Sequence, residues 1–192
     1  MLEMRLCMAI TVYGKGGRTF RCLWMLGESE LEYSHKSVDW SQGESRTDAF
    51  LSINANGKVP VVKDNDLILF ESLAINYHLA KVRAPHLWPN ARESEAIQWL
   101  AWGMGELEGP HDAANRSSAA VDLVRIEIAL NALRKVLSES AYMLSETFSV
   151  VDLNTACLLL RPQFRSLAAS DAEIGDWFAR CTSRSALARA TA

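Results

Sequence analysis

The 192-residue chain balances 23 acidic against 20 basic side chains, a net charge of -3, and is 49% apolar and 22% charged. That balance is the one of an ordinary water-exposed globule long enough for one or two packed cores, and without a lysine/arginine cluster it argues against a nucleic-acid partner. The longest early apolar run, Leu6 to Tyr13, is too short to span a bilayer and lacks a signal-peptide cleavage pattern, so a cytoplasmic protein away from membranes is expected.

Met1 to Arg5 carries no structural signal, and Met8 is an alternative natural start. Ala9 to Tyr13, rich in β-branched residues, reads as a strand. Gly14-Lys15-Gly16-Gly17 ends it; neither the Walker pattern nor the G-x-G-x-x-G spacing of a nucleotide loop is met. A helix follows from about Thr19 to Glu30, with Phe20, Leu23 and Trp24 at helical spacing. A helix start just after a first strand is a place where a thiol is acidified. Here that place holds Lys15 to Arg18, and Cys22 lies about one turn too deep, which disfavours a dithiol oxidoreductase. The four cysteines (Cys7, Cys22, Cys157, Cys181) are far apart, with no metal spacing, and are expected to be buried thiols.

Glu32 to Val38 reads as the second strand, Asp39 to Ser45 as a polar loop around Trp40, and Arg46 to Ile53 as a short helix. A right-handed crossover then makes the first two strands parallel. In Asn56-Gly57-Lys58-Val59-Pro60-Val61-Val62 the proline argues against an ordinary central strand and fits one that starts at Pro60. An X-Pro bond is the kind that becomes cis cheaply; a cis Val59-Pro60 bond would turn the Val59 N–H and C=O outward, toward a peptide-like ligand. Asp64-Asn65-Asp66 is a tight turn, and Leu67 to Phe70 returns as a hairpin partner. Glu71 and Ser72 open a helix to Lys81, where unpaired N–H groups favour an anion. The order β-α-β-α-β-β-α is that of a thioredoxin-like domain.

Val82 to Asn90, with Pro85 and Pro89, reads as a linker, and everything beyond it is helical in pattern. Ala91 to Leu107 forms one helix, Gly109-Pro110 breaks or kinks it, and Ala119 to Ser138 forms an amphipathic one. Ser149-Val150-Val151-Asp152 has the form of a capping box ahead of a run, to about Leu160, that is apolar nearly all round. This run is expected at the centre of an all-α part. Pro162 lies near its end, and Asp171 to Cys181 and Ser185 to Ala190 close the chain. The domains are thus 8–83 and 91–192.

The pair G-K-V-P-V-V and E-S-L-A-I, with the S-x-x-D box downstream, resembles the glutathione transferase family, of the bacterial, cytosolic type. The resemblance covers nearly the whole chain. It implies a thioredoxin-like domain that binds glutathione as cosubstrate, with no metal, and an all-helical domain that takes a small hydrophobic electrophile. It also implies a homodimer with a role in detoxification. Carried over to this sequence, Val59 before Pro60 pairs with the cysteinyl backbone of glutathione, and Glu71 and Ser72 hold its γ-glutamyl end. Lys58 either reaches the glycine carboxylate or is a solvent-facing turn lysine.

The thiol-activating group departs from the family pattern. The family uses a tyrosine in the first strand, or a serine or cysteine in the loop after it. Placing Arg21 on the family's first-helix arginine puts the Ser/Cys slot at Gly16 or Gly17, which have no donor side chain. Tyr13 and Thr19 are the hydroxyls at hand; the alternatives are a core aromatic for Tyr13 and an N-cap for Thr19. Backbone N–H groups of Gly17 to Thr19 can also stabilise a thiolate, and Arg18 is either an inward helper or a surface arginine. Three functions stay open: a glutathione transferase, a glutathione-dependent isomerase, dehalogenase or peroxidase on the same scaffold, and a non-enzymatic binding or assembly relative.

Overall fold

Ile10–Tyr13 (β1) alternates strictly, Ile10 and Val12 buried and Thr11 and Tyr13 half-buried, and so serves as the inner strand on which a sheet is built. The computed structural model describes residues 10–117, 120 and 122–191; Cys7, the start at Met8, Ala9 and the expected helix start at Ala119 lie outside them. Tyr33–Lys36 (β2) runs parallel to β1, Val61–Asp64 (β3) antiparallel to it, and Leu67–Phe70 (β4) antiparallel to β3. Among the described residues this gives one sheet in the order β2-β1-β3-β4. Asn65 takes φ 56° in the β3–β4 turn, a conformation asparagine tolerates better than most residues. Pro60 stands one residue before β3, so its missing N–H removes no ladder bond.

Gly17–Ser29 (α1) starts two residues earlier than the sequence pattern suggests. Its cap is Gly16, at φ 62°, and not Thr19. Two consecutive glycines with positive φ let the chain turn into the helix directly after β1. The loop expected from Asp39 to Ser45 holds two 3-10 turns, Trp40–Gln42 and Glu44–Arg46, and the helix expected from Arg46 to Ile53 is the single turn Asp48–Leu51 (α2). Thr47 caps α2 by accepting from the Phe50 amide at 3.3 Å. Phe50 packs with Val38 and Val61, and Tyr13, Ile53 and Val59 border that cluster.

Ser72–His78 (α3) packs on α1 and runs on as a π turn, Leu79–Arg83. Buried Asp64 ties the end of β3 to this segment, 2.8 Å from His78 Nε2 and 3.6 Å from Arg83 Nη1. These elements form the first unit, residues 1–84 with a short piece at the C-terminal end; Pro85–Leu187 forms the second. The stretch read as a linker is ordered by 3-10 turns at Pro85–Leu87 and Asn90–Arg92, with Leu87 and Trp88 buried.

In the second unit, Glu93–Trp102 (α4) continues as a π segment, Gly103–Glu108, into Gly109–Ser117 (α5). Gly109-Pro110 therefore does not stop the chain's helical course. Pro110 lacks an N–H, and the wider turn before it sends the Gly109 amide back to the Met104 carbonyl. Leu123–Leu137 (α6) starts later than expected because Asp122 caps it, accepting from the Val124 and Arg125 amides at 3.1 Å. Val150–Leu159 (α7) has Val150, Val151, Leu153, Ala156 and Leu159 fully buried and touches α4, α8 and α9.

The capping box is complete. Asp152 accepts from the Ser149 amide (3.0 Å) and hydroxyl (2.8 Å), and the Val151 amide donates to Ser149 Oγ (3.2 Å). Asp152 also accepts from the Met143 amide (2.8 Å) and Trp177 Nε1 (2.9 Å). Burial pushes its carboxyl up from the ordinary value, against those donors.

Pro162, expected near the end of α7, is the first residue of a further helix, Pro162–Ser170 (α8); a proline that cannot continue one helix is well suited to begin the next. Ala172–Thr182 (α9), capped by Asp171, and Ser185–Thr191 (α10) follow. Cys22 and Cys181 are buried and Cys157 half-buried, all as thiols. No helix among the described residues is long and apolar enough to cross a membrane.

Candidate functional site

The site begins with a short polar loop that one buried asparagine shapes. Asn54 donates from Nδ2 to the Lys58 carbonyl (2.8 Å) and accepts the Asn56 amide on Oδ1 (3.1 Å), while its own carbonyl takes the Gly57 amide (2.9 Å). Gly57, at φ 59°, has no room for a side chain: a Cβ would lie 2.7 Å from Arg46 Nη1 and 3.0 Å from the Ser45 carbonyl. The loop so held delivers Lys58 to solvent and leaves Val59 half-buried at its end. The Val59-Pro60 bond is cis. Among the described residues neither the N–H nor the C=O of Val59 has a hydrogen-bond partner. That is unusual for backbone just outside a sheet, where nearly all such groups are paired with protein or water.

The start of α3 forms the other wall. Glu71 occupies its cap position at φ 69° and ψ 113°, with no side-chain cap bond. A non-glycine residue held there costs on the order of 1–3 kcal/mol, and such outliers cluster at ligand sites. Its carboxylate is exposed, whereas Ser72 beside it is 2% exposed. The Ser72 hydroxyl accepts from Arg21 Nη1 at 3.2 Å, and Arg21 is itself only 1% exposed. Asn76 Nδ2 donates to the Arg21 carbonyl at 3.3 Å, which pins α1 to α3 behind the site.

Between these walls lies a small pocket open to solvent. It gathers Lys58, Val59, Pro60, Glu71 and Ser72, and adds Arg18, Asn54, Asn56 and Phe70. Its lining combines two cationic side chains, Arg18 and Lys58, with the Glu71 carboxylate and the open Val59 backbone. This suits an extended peptide that carries both carboxylate and ammonium groups.

Neither expected catalytic hydroxyl lines this pocket. Tyr13 borders the Phe50 cluster, with Lys36 Nζ 5.4 Å above its ring, the setting of a core aromatic. Thr19 is fully buried on α1, and its amide is taken by the Gly16 carbonyl at 2.9 Å. Its hydroxyl has no hydrogen-bond partner among the described residues. It packs over Gly14, where a Cβ would lie 2.3 Å from Thr19 Oγ1 and 3.0 Å from Val59 Cβ. Thr19 thus stands on the Val59 side of Gly14. By contrast, a Cβ added to Gly16 or Gly17 would meet nothing within 4 Å. Asn54, Asn56 and Arg21 were not found as site residues from the sequence. The Asn-x-Asn-Gly spacing signals a turn, but the contact from Arg21 to Ser72 spans 51 positions and leaves no local trace.

Comparison with known proteins adds relatives to this geometry. A model of the glutathione S-transferase N-terminal domain matches residues 8–81, and one of the C-terminal domain matches residues 94–185. The chain is 35% identical over 119 residues to glutathione S-transferase hmp2 of Hypomyces subiculosus, covering 61% of this chain and 56% of that relative, little more than half its length. It is 30% identical over 173 residues to glutathione S-transferase PARB of Nicotiana tabacum, covering 77% and 79% of the two chains. In fold it is similar to the crystal structure of poplar glutathione transferase F1, with a TM-score of 0.81 at 20% identity over 95% of this chain and 96% of that one.

Proposed function

This chain belongs to the glutathione S-transferase family, and from that premise we propose that residues 8–83 bind glutathione and activate its thiol for attack on a small hydrophobic electrophile taken by residues 91–192. The observation that carries the reading is the open backbone of Val59 in the same pocket as Glu71 and Ser72. The cysteinyl N–H and C=O of glutathione pair with Val59 as one further strand would. The γ-glutamyl carboxylate meets the start of α3 and the Ser72 hydroxyl, and the γ-glutamyl ammonium meets the Glu71 carboxylate. Lys58 serves the glycine carboxylate.

The thiol loses its proton to solvent, the sulfur lone pair forms the new S–C bond, and the electrophile's leaving group departs with its electron pair. The α1 start stabilises the thiolate through the Gly17 amide, with Thr19 the nearest buried hydroxyl on the Val59 side. Tyr13, set in the Phe50 cluster, is the weaker of the two hydroxyl candidates. In keeping with the family, the protein is a cytoplasmic homodimer with a detoxifying role and no metal.

The glycines at 16 and 17 support a second reading, glutathione binding without turnover. Calorimetry with glutathione, followed by a chlorodinitrobenzene assay, separates the two. Heat and turnover together support the transferase, heat without turnover supports the binding protein, and absence of heat overturns both.

A further inference from the structure

Ser72 is a hydroxyl with one proton to donate and two lone pairs to accept with. Arg21 Nη1 already occupies the acceptor side at 3.2 Å. Among the described residues the Ser72 proton has no acceptor, although the residue is 2% exposed and lines the pocket. Left alone, such a hydroxyl would rotate and satisfy itself on a nearby backbone carbonyl. With a guanidinium on its oxygen it is held as a donor, and a neighbouring cation makes it a stronger one.

From this geometry we infer that Arg21 is a positioning residue. Without touching the ligand, it fixes the Ser72 hydroxyl as a donor toward the α-carboxylate of the γ-glutamyl group. This rests on the glutathione reading above and adds to it a residue on another helix, fully buried and 51 positions away. The Asn76 bond to the Arg21 carbonyl ties the same two helices together beside this contact.

The test is a double-mutant cycle read by calorimetry with two probes. One is glutathione; the other is 4-aminobutyryl-cysteinyl-glycine, which lacks only the γ-glutamyl α-carboxylate. Arg21→Met weakens glutathione about tenfold, the scale of one lost hydrogen bond to a charged group. Ser72→Ala weakens it by a similar factor, and the double variant is within about twofold of the weaker single one. Arg21→Lys, which keeps a cationic donor, restores most of the affinity. The analogue binds wild type and Arg21→Met alike, a result that a merely structural role for Arg21 would not give. The inference is overturned if the two penalties multiply, or if Arg21→Met weakens both probes equally. Where Arg21→Met does not fold, Arg21→Gln takes its place, and the Ser72→Ala arm alone still decides: equal loss on both probes overturns the assignment. If wild type gives no heat with glutathione, the binding reading itself falls and this inference with it.

Discussion

A serine stands at the start of both α7 and α3, and the two starts use it in opposite ways. At the start of α7, Ser149 and Asp152 satisfy each other, and Asp152 gathers two more donors from Met143 and Trp177. The serine and aspartate side chains there are both spent on folding. At the start of α3, Glu71 sits in a strained conformation with no cap bond, and beside it the Ser72 proton and the Val59 backbone have no partner among the described residues. The first start is closed and stabilises the chain. The second is left open at a cost to stability, and the structure around it holds it open. The two helix starts therefore differ in whether their polar atoms are already paired, and the glutathione reading proposed above assigns the unpaired one to the ligand.

The largest effect is expected at the closed start. Asp152→Ala strands the Met143 amide and the Trp177 indole N–H as well as breaking the box, and should lower stability by about 3 kcal/mol in a denaturant titration. If the loss were under about 1 kcal/mol, the two starts would not differ in kind. Glu71→Gly sharpens the contrast by reversing its sign. It relieves the positive φ and should raise stability by up to about 1 kcal/mol, while glutathione binding weakens about tenfold for want of the carboxylate. Ser149→Ala, the loss of a cap alone, should cost about 1 kcal/mol without weakening the ligand.

Acid gives a smaller, separate test within the second unit. Burial pushes the Asp171 carboxyl up, but the Ile174 and Glu173 amides and the Arg134 guanidinium outweigh it, so it lies below the usual carboxylate value. The unfolded chain then takes up the proton first. The stability Asp171 confers is present above the unfolded value near pH 4 and is lost as pH falls through the folded one. Asp171→Asn should flatten this acid limb in melts between about pH 5 and pH 2. The smallest effects concern the hydroxyls: Thr19→Val should leave stability nearly unchanged, since it removes a buried hydroxyl with no partner, yet reduce turnover more than Tyr13→Phe does. A larger loss of turnover in Tyr13→Phe would return catalysis to β1.

Much of the open site was legible in the sequence because its parts are close together in the chain. Gly57 to Val62 and Glu71-Ser72 announce a turn, a strand entry and a helix start by residue type alone, and the pocket gathers Lys58, Val59, Pro60, Glu71 and Ser72. The capping box was legible for the same reason. What the sequence left undecided depends on where a chain element points. Whether Tyr13 faces Phe50 or the ligand is a matter of strand register, and β1 pairs on both edges to fix it. Thr19 looked like a cap because serine and threonine are good caps, but two glycines before it start the helix earlier. Pro162 was ambiguous in itself, since the ring that stops one helix fits the first turn of another. Arg21 was visible as a marker of alignment, and its reach to Ser72 appears only when α1 and α3 are packed.

The empty volume beside Gly16 and Gly17 has a practical consequence for redesign. A Cβ at either position would meet nothing within 4 Å; the obstacle is the backbone, since Gly16 holds φ 62° with ψ -169°, a region nearly reserved to glycine, and Gly17 holds φ 46°. A laboratory lineage given a stabilised background can therefore place a serine or cysteine at this helix start by a single amino-acid exchange.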